Sequence, residues 1–217
     1  MRLAAFAQAP VWRVIATRNP PIALFERVAD AGEFDALYEL ESAFNPHHDE
    51  GHLLQHLPRG EWVFGQGAGY VMAPFAYRNP SRFCDGSFGI FYAGLDEDTA
   101  IREVAFHRAR FLERTREPPS VIDQLILRAK VTGELVDLRG EVAAHPEWYD
   151  PDPARYGAAQ VLGGQLHQAG RTGLAFASVR RPGGHCVGIL RPKAISGCRH
   201  SRPFSYYWDG ARIAGWR

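Results

Sequence analysis

Apolar and polar positions alternate in short blocks along this chain, and the block lengths switch repeatedly between strand-like and helix-like. After Pro10, Val11-Trp12-Arg13-Val14-Ile15 reads as a strand. The stretch LFERVADAGEFDALYELESAF, interrupted at Ala31-Gly32, carries Phe34, Leu37, Tyr38 and Leu40 at helical spacing and closes at Asn45-Pro46. From Pro46 to Asn79 the pattern is weak and glycine-rich, which predicts a loop-rich elaboration. Phe88 to Ala93 reads as a strand, and Leu95-Asp96-Glu97-Asp98 opens a helix with acidic residues suited to its positive end. Ile101, Val104, Ala105, Phe111 and Leu112 define the buried stripe of that helix, interrupted by Arg108, and Pro118-Pro119 ends it. Val121 to Val131 and Leu135 to Leu138 predict two strands joined at Thr132-Gly133. A further helix runs from Pro153 to Ala169, with Tyr156, Ala159, Leu162 and Leu166 on one face and Gly170 after its end. Strands follow at Gly173 to Val179 and Cys186 to Leu190, then a hairpin around Asp209-Gly210. Helices and strands intermix without regular βαβ units, so the expected class is α+β, in a single domain spanning 1–217 with its elaboration at about 46–79.

Bulk properties narrow the function. The chain has 217 residues, 46% hydrophobic and 23% charged, enough apolar material for a core without disulfides or metal. A formal net charge of +1 argues against nucleic-acid or membrane binding as the main activity. Three cysteines, Cys84, Cys186 and Cys198, are too few for a disulfide framework and point to a reducing compartment. The N-terminal MRLAAFAQAPVWRV is broken by Gln8 and Pro10 and reads as mature protein rather than a signal peptide. No run approaches the ~18 apolar residues of a membrane span. The expected setting is therefore cytoplasmic.

Several polar residues stand at element ends, where chemistry is commonly placed. Arg82 lies in Ser81-Arg82-Phe83, with Arg78 four residues earlier as a rival. Tyr92 shares a strand face with Phe88 and Ile90, and core packing explains it equally well. Glu103 lies opposite the Ile101/Val104/Phe111 stripe, so pattern alone makes it a solvated glutamate beside His107 or Arg110. Ser178 ends a strand, where a hydroxyl bonded to backbone is the plain reading; no GxSxG elbow surrounds it. Arg13, inside an apolar strand, wants a partner in any case. His47, His48, His52 and His56 cluster with Asp49 and Glu50, but without HExxH or a cysteine pair no metal site is assigned. Gln66-Gly67-Ala68-Gly69 contains GxG with no predicted helix start, so it is not a dinucleotide fingerprint, and no P-loop occurs.

The order Arg82, Tyr92, Glu103 and Ser178 within SRFCDGSFGIFYAGLDEDTAIREV and GLAFASVRRPGGHCVGIL resembles the RES domain, from about Val11 to about Pro192. A serine here precedes the arginine where the family has glycine, and His185-Cys186 stand where relatives carry other polar residues. The resemblance implies a fold similar to ADP-ribosyltransferases and a toxin of a toxin–antitoxin pair that consumes NAD⁺ without a Rossmann motif. It implies that Arg82 and Arg13 hold phosphate or ribose oxygens, Tyr92 packs on nicotinamide, Glu103 acts at the ribosyl centre and Ser178 completes the pocket. It also implies a cognate antitoxin, with a helix-turn-helix DNA-binding domain. Water as acceptor would make the enzyme a glycohydrolase, phosphate a phosphorylase, and a protein side chain a mono-ADP-ribosyltransferase. The extra surface at 46–79 favours a protein acceptor. A non-catalytic binding module is the alternative, and nicotinamide release from NAD⁺ separates the two.

Overall fold

The computed structural model describes residues 1–17, 22–44 and 57–217. Its frame is one seven-stranded sheet in the order β1-β2-β5-β4-β3-β6-β7. The strands are β1 (Arg2–Ala16), β2 (Phe91–Gly94), β3 (Ser120–Asp137), β4 (Gly173–Ala177), β5 (His185–Ile189), β6 (Ile195–Trp208) and β7 (Ile213–Trp216). Because β1 pairs with β3 along its length and touches β2 at Trp12↔Gly94, the pairings β1-β2-β5-β4-β3 close on themselves. All pairs are antiparallel except β3–β4. Helices α1 (Ala23–Arg27), α2 (Ala31–Phe44), α3 (Ala68–Ala76), α4 (Glu97–Thr115) and α5 (Gly157–Gln168) intermix with the strands, as the α+β reading expects. No helix among the described residues is long and apolar enough to cross a membrane.

Three departures from the sequence expectation have identifiable physical causes. The two strands predicted around Thr132-Gly133 form a single strand, β3, of 18 residues. Gly133 takes φ 133° within it, opposite a register shift between Phe6 and Ala9 in β1. Gln8, at φ 55°, donates from Nε2 to Thr132 Oγ1 at 2.8 Å. A turn-like Thr-Gly pair is thus absorbed as an irregularity, because both flanks find the same partner strand.

The described part of the loop-rich segment contains α3, whose Val71, Met72 and Phe75 are buried despite Pro74 within the helix. The helix starts at the GxG after all. The N–H groups of Gly67 and Gly69 donate to the Glu26 carboxylate at 2.8 and 2.9 Å, so a side chain of α1 fills the anion position. Gly67 has φ 84°, and a Cβ there would lie 2.0 Å from the Cys198 carbonyl oxygen. The His47–His56 cluster lies outside the described residues.

The break between α1 and α2 comes slightly earlier than predicted. Asp30 accepts from Gly32 and Glu33 N–H while Glu33 reaches back to the N–H of Ala29, a reciprocal cap. Near the C-terminal half the reading holds more closely: Gly170 follows α5 at φ 69°, and β6 and β7 form the hairpin around Asp209-Gly210.

Candidate active site

The start of α4 is fixed first. Asp96 caps it, accepting from Thr99 N at 2.9 Å and from Thr99 Oγ1 at 2.7 Å. Arg181 donates to Asp98 at 2.6 Å and to Asp96 at 3.1 Å, clasping the 178–184 loop onto the helix. Gly184 closes the contact, since a Cβ there would lie 2.6 Å from Thr99 Oγ1. Hydrogen bonds from Arg102 and then Arg181 hold the Asp98 carboxyl below its ordinary range. Nothing in the alternation of apolar residues announces this clasp. The available signals were the Asp96 cap and the Arg180-Arg181 pair after the strand.

The clasp brings Ser178 to Glu103. Ser178 Oγ accepts from the N–H groups of Arg180 and Arg181 at 3.1 and 3.0 Å, so its single hydrogen is directed to Glu103 Oε1, at 2.5 Å. Glu103 is half-buried rather than solvated, and it is held by Ser178 instead of His107; Arg110 turns to Asp152 at 3.6 Å. The helical pattern misread its surroundings because α4 is covered on two sides. Ile101 packs in the core beside Tyr206, while Ala100, Glu103 and His107 line a cavity of about 460 Å³. Cys186 lines the same cavity, its Sγ 4.0 Å from Glu103 Oε1. Burial, with the Glu103 carboxylate beside it, pushes that thiol well up and keeps it protonated.

Arg82, Tyr92 and Arg13 line this cavity too. Arg82 is only 8% exposed, and its Nη1 donates to the carbonyls of Trp148 and Asp150 at 3.2 and 2.9 Å. Nη2 donates to Tyr156 Oη at 3.1 Å. Of five N–H hydrogens, three therefore have protein acceptors among the described residues, leaving Nε–H and one on Nη2. These two form the side-on fork that suits paired oxygens. The turn bearing Arg82 is held by Gln160, which donates to the carbonyls of Ser81 and Cys84, and by Gly163, where a Cβ would lie 1.8 Å from the Phe83 oxygen.

Tyr92 combines core and cavity roles. Its hydroxyl accepts from Phe83 N at 3.0 Å and shares a 3.0 Å hydrogen bond with Ser81 Oγ, while its ring faces the cavity and meets Phe176 edge-on. Burial raises its phenol, which stays neutral. Arg13 bridges the gap where β1 and β2 part: Nη1 donates to the Tyr92 carbonyl at 2.9 Å, and the guanidinium lies 4.7 Å from the Phe91 ring centre. Burial pulls this guanidinium down to about 10. Arg78 is not brought to the cavity and instead donates to the Ser87 carbonyl. His185 is likewise not on its lining and serves through its backbone, accepting from Leu95 N. The sequence reading missed Tyr156, Gln160 and Phe176, which complete the lining. Among the described residues no group of His, Cys, Asp and Glu is placed to hold a metal.

The RES domain family model matches residues 57–209. The chain belongs to the RES domain family. The matched span of this RES domain includes Arg82, Tyr92, Glu103 and Ser178 and begins after β1, so Arg13 lies outside it. The RES domain is also 30% identical over 211 residues to the uncharacterized protein y4oC of Sinorhizobium fredii, covering 94% of this chain and 84% of that one. Among solved structures the chain is similar to the M. tuberculosis MbcT–MbcA toxin–antitoxin complex, with TM-score 0.49, 12% identity, and coverage of 95% of this chain and 87% of that one.

Proposed function

We propose that this RES domain is an NAD⁺-cleaving toxin that breaks the nicotinamide–ribose bond. The observation that carries the reading is the half-buried Glu103 carboxylate, fixed by Ser178 and lining one cavity with Tyr92 and Arg82. NAD⁺ cleavage takes the bond electrons into nicotinamide, which leaves neutral, and puts positive charge on the ribosyl carbon. A preorganised carboxylate stabilises that charge as it develops. Tyr92 offers a ring to the cationic nicotinamide before the bond breaks. The remaining fork of Arg82 holds ribose or phosphate oxygens, and Arg13 adds a second cation. A loop-held serine whose hydrogen is committed to Glu103 acts as a positioning residue, not a nucleophile.

The acceptor we assign is a protein side chain, which makes the enzyme a mono-ADP-ribosyltransferase. At His107 and Pro153 the cavity runs into an open groove lined by Arg110, Arg114 and the exposed Phe111, a surface against which a macromolecule can bear. Family membership implies a cognate antitoxin as the partner that restrains the enzyme in the cell.

The test is nicotinamide release by purified protein, wild type beside Glu103→Gln. The amide still accepts from Ser178, so folding should be preserved within about 0.5 kcal/mol. The lost charge should lower kcat about a hundredfold or more with little change in apparent binding. Normal turnover by Glu103→Gln sinks the catalytic assignment, and early melting makes the residue structural. Tagged NAD⁺ then identifies the acceptor: labelled protein supports transfer, and free ADP-ribose or a phosphorolysis product replaces it with water or phosphate.

A further inference from the structure

Breaking the nicotinamide–ribose bond is only half of a transfer, since a neutral acceptor must also lose a proton as its oxygen joins the ribosyl carbon. Of the ionisable side chains that line the Glu103 cavity, Glu103 and His107 are the two able to take it. Arg13 and Arg82 carry donors alone. The Tyr92 hydroxyl already accepts from Phe83 N and that of Tyr156 from Arg82, while the Cys186 thiol stays protonated. Taking up the proton would cost Glu103 its charge at the moment the ribosyl carbon is cationic. His107 has no such conflict.

Its position suits the task. His107 follows Glu103 by four residues on α4, so the two side chains stand one turn apart on one face, with Cβ atoms on the order of 5–6 Å apart. It lines both the cavity and the outer groove of Arg110, Phe111 and Arg114, the side proposed above for a protein acceptor. The ring is exposed there, and neither ring nitrogen has a hydrogen-bond partner among the described residues. Phe106 meets it edge-on, with centroids 5.2 Å apart, and carries the Arg180 guanidinium on its own face. Surrounding protein, then the cations of Arg180, Arg82 and Arg110, hold the imidazole below its usual range, so it is neutral and free to accept. An anionic substrate at Arg82 offsets part of that repulsion and makes the imidazole a stronger base in the complex.

Resting on the cleavage reading above, we propose that His107 is the general base of the transfer, and that the acceptor it serves is a hydroxyl, a serine or threonine side chain of the target protein. The hydroxyl proton passes to a free imidazole nitrogen, and the oxygen lone pair forms the bond to the ribosyl carbon. The electrons of the broken C–N bond leave with neutral nicotinamide, and water later takes the proton from the imidazolium. A carboxylate acceptor needs no base, and a guanidinium acceptor would be repelled by Arg82, Arg110 and Arg180.

The experiment gives the purified protein NAD⁺, with water as the hydroxyl acceptor and azide as an anion that needs no base. His107→Gln and His107→Ala should each lower nicotinamide release in water about a hundredfold at saturating NAD⁺, the scale of a lost general base. Azide should restore release in both variants, with ADP-ribosyl azide as the product, and should speed wild type little. Release by the variants at the wild-type rate overturns the base, and so does a loss that azide does not relieve. If wild type releases no nicotinamide with water or azide, the cleavage reading falls and the base falls with it. Protein labelled from tagged NAD⁺ should keep its label in neutral hydroxylamine, which cleaves carboxylate and guanidinium linkages; loss of the label overturns the hydroxyl acceptor.

Discussion

Arg82 shows how one side chain can hold the fold and face a substrate together. An arginine in a polar loop reads as a surface residue, yet this guanidinium is buried against the Tyr156 ring, 4.3 Å from its centre, and reaches two backbone carbonyls. Those carbonyls belong to the 148–150 segment, whose own Tyr149 hydroxyl bonds the Leu138 carbonyl. Lysine keeps the charge but is a point donor without the planar fork, and it cannot satisfy Trp148, Asp150 and Tyr156 at once. Arg82→Lys should therefore lose about 2–4 kcal/mol of stability, the cost of buried charge-assisted bonds left unmade. Urea unfolding beside wild type checks it. A loss within about 0.5 kcal/mol would mean that the loop is held by other contacts and that Arg82 serves the cavity alone.

At the scale of elements, α4 is a lever fastened at its acidic end. Asp96 and Asp98 with Arg181 tie it to the loop that carries Ser178, so the geometry of Glu103 depends on an ion-pair cluster several residues away. The folded Asp98 carboxyl titrates below its unfolded value of 3.8. The stability it contributes is thus fully present above about pH 4 and is lost as pH falls through the lower, folded value. The melting temperature of wild type should converge on that of Asp98→Asn as pH drops below about 4, and the gap should be constant from pH 5 to 8. A gap that instead grows on acidification refutes the clasp. This helix also marks what sequence could reveal. Its start and its end were legible, because capping and helix-ending prolines are local, but its stripe only in part: Ile101 and Leu112 are buried, whereas Phe111 is exposed and Val104 lines the cavity. The burial of Glu103 was not, because a cavity wall covers the polar face and periodicity counts only one apolar stripe. In the same way β3 was read as two strands, since the reason Gly133 does not turn the chain is the partner β1, more than a hundred residues earlier.

For the whole molecule, the site exists only when the sheet closes. Arg13 comes from β1, Arg82 from the turn before β2, Tyr92 from β2, Glu103 from α4 and Ser178 from the end of β4. The sequence named these five residues through a family resemblance, but their convergence depends on β1 joining β2 to β3, a long-range pairing that no local pattern encodes. A ligand contacting such dispersed segments should bind the folded chain and not the unfolded one, and so should stabilise the molecule as a unit. NAD⁺ at a hundred times its dissociation constant should add about 2.7 kcal/mol, or roughly 5–10 °C in melting temperature for a chain of this size. Glu103→Gln is the suitable protein, since it should bind without consuming the ligand. ADP-ribose should match most of the NAD⁺ shift if the adenosine half supplies most of the contacts, and nicotinamide alone at equal concentration should give far less. A cooperative unfolding curve displaced by NAD⁺ as one transition places the binding energy in the closed sheet. A shift confined to a minor early transition, with the main one unmoved, would place the ligand on a locally folded segment and separate it from the cavity that Arg13, Arg82, Tyr92 and Glu103 line, with Ser178 behind Glu103 and off the lining.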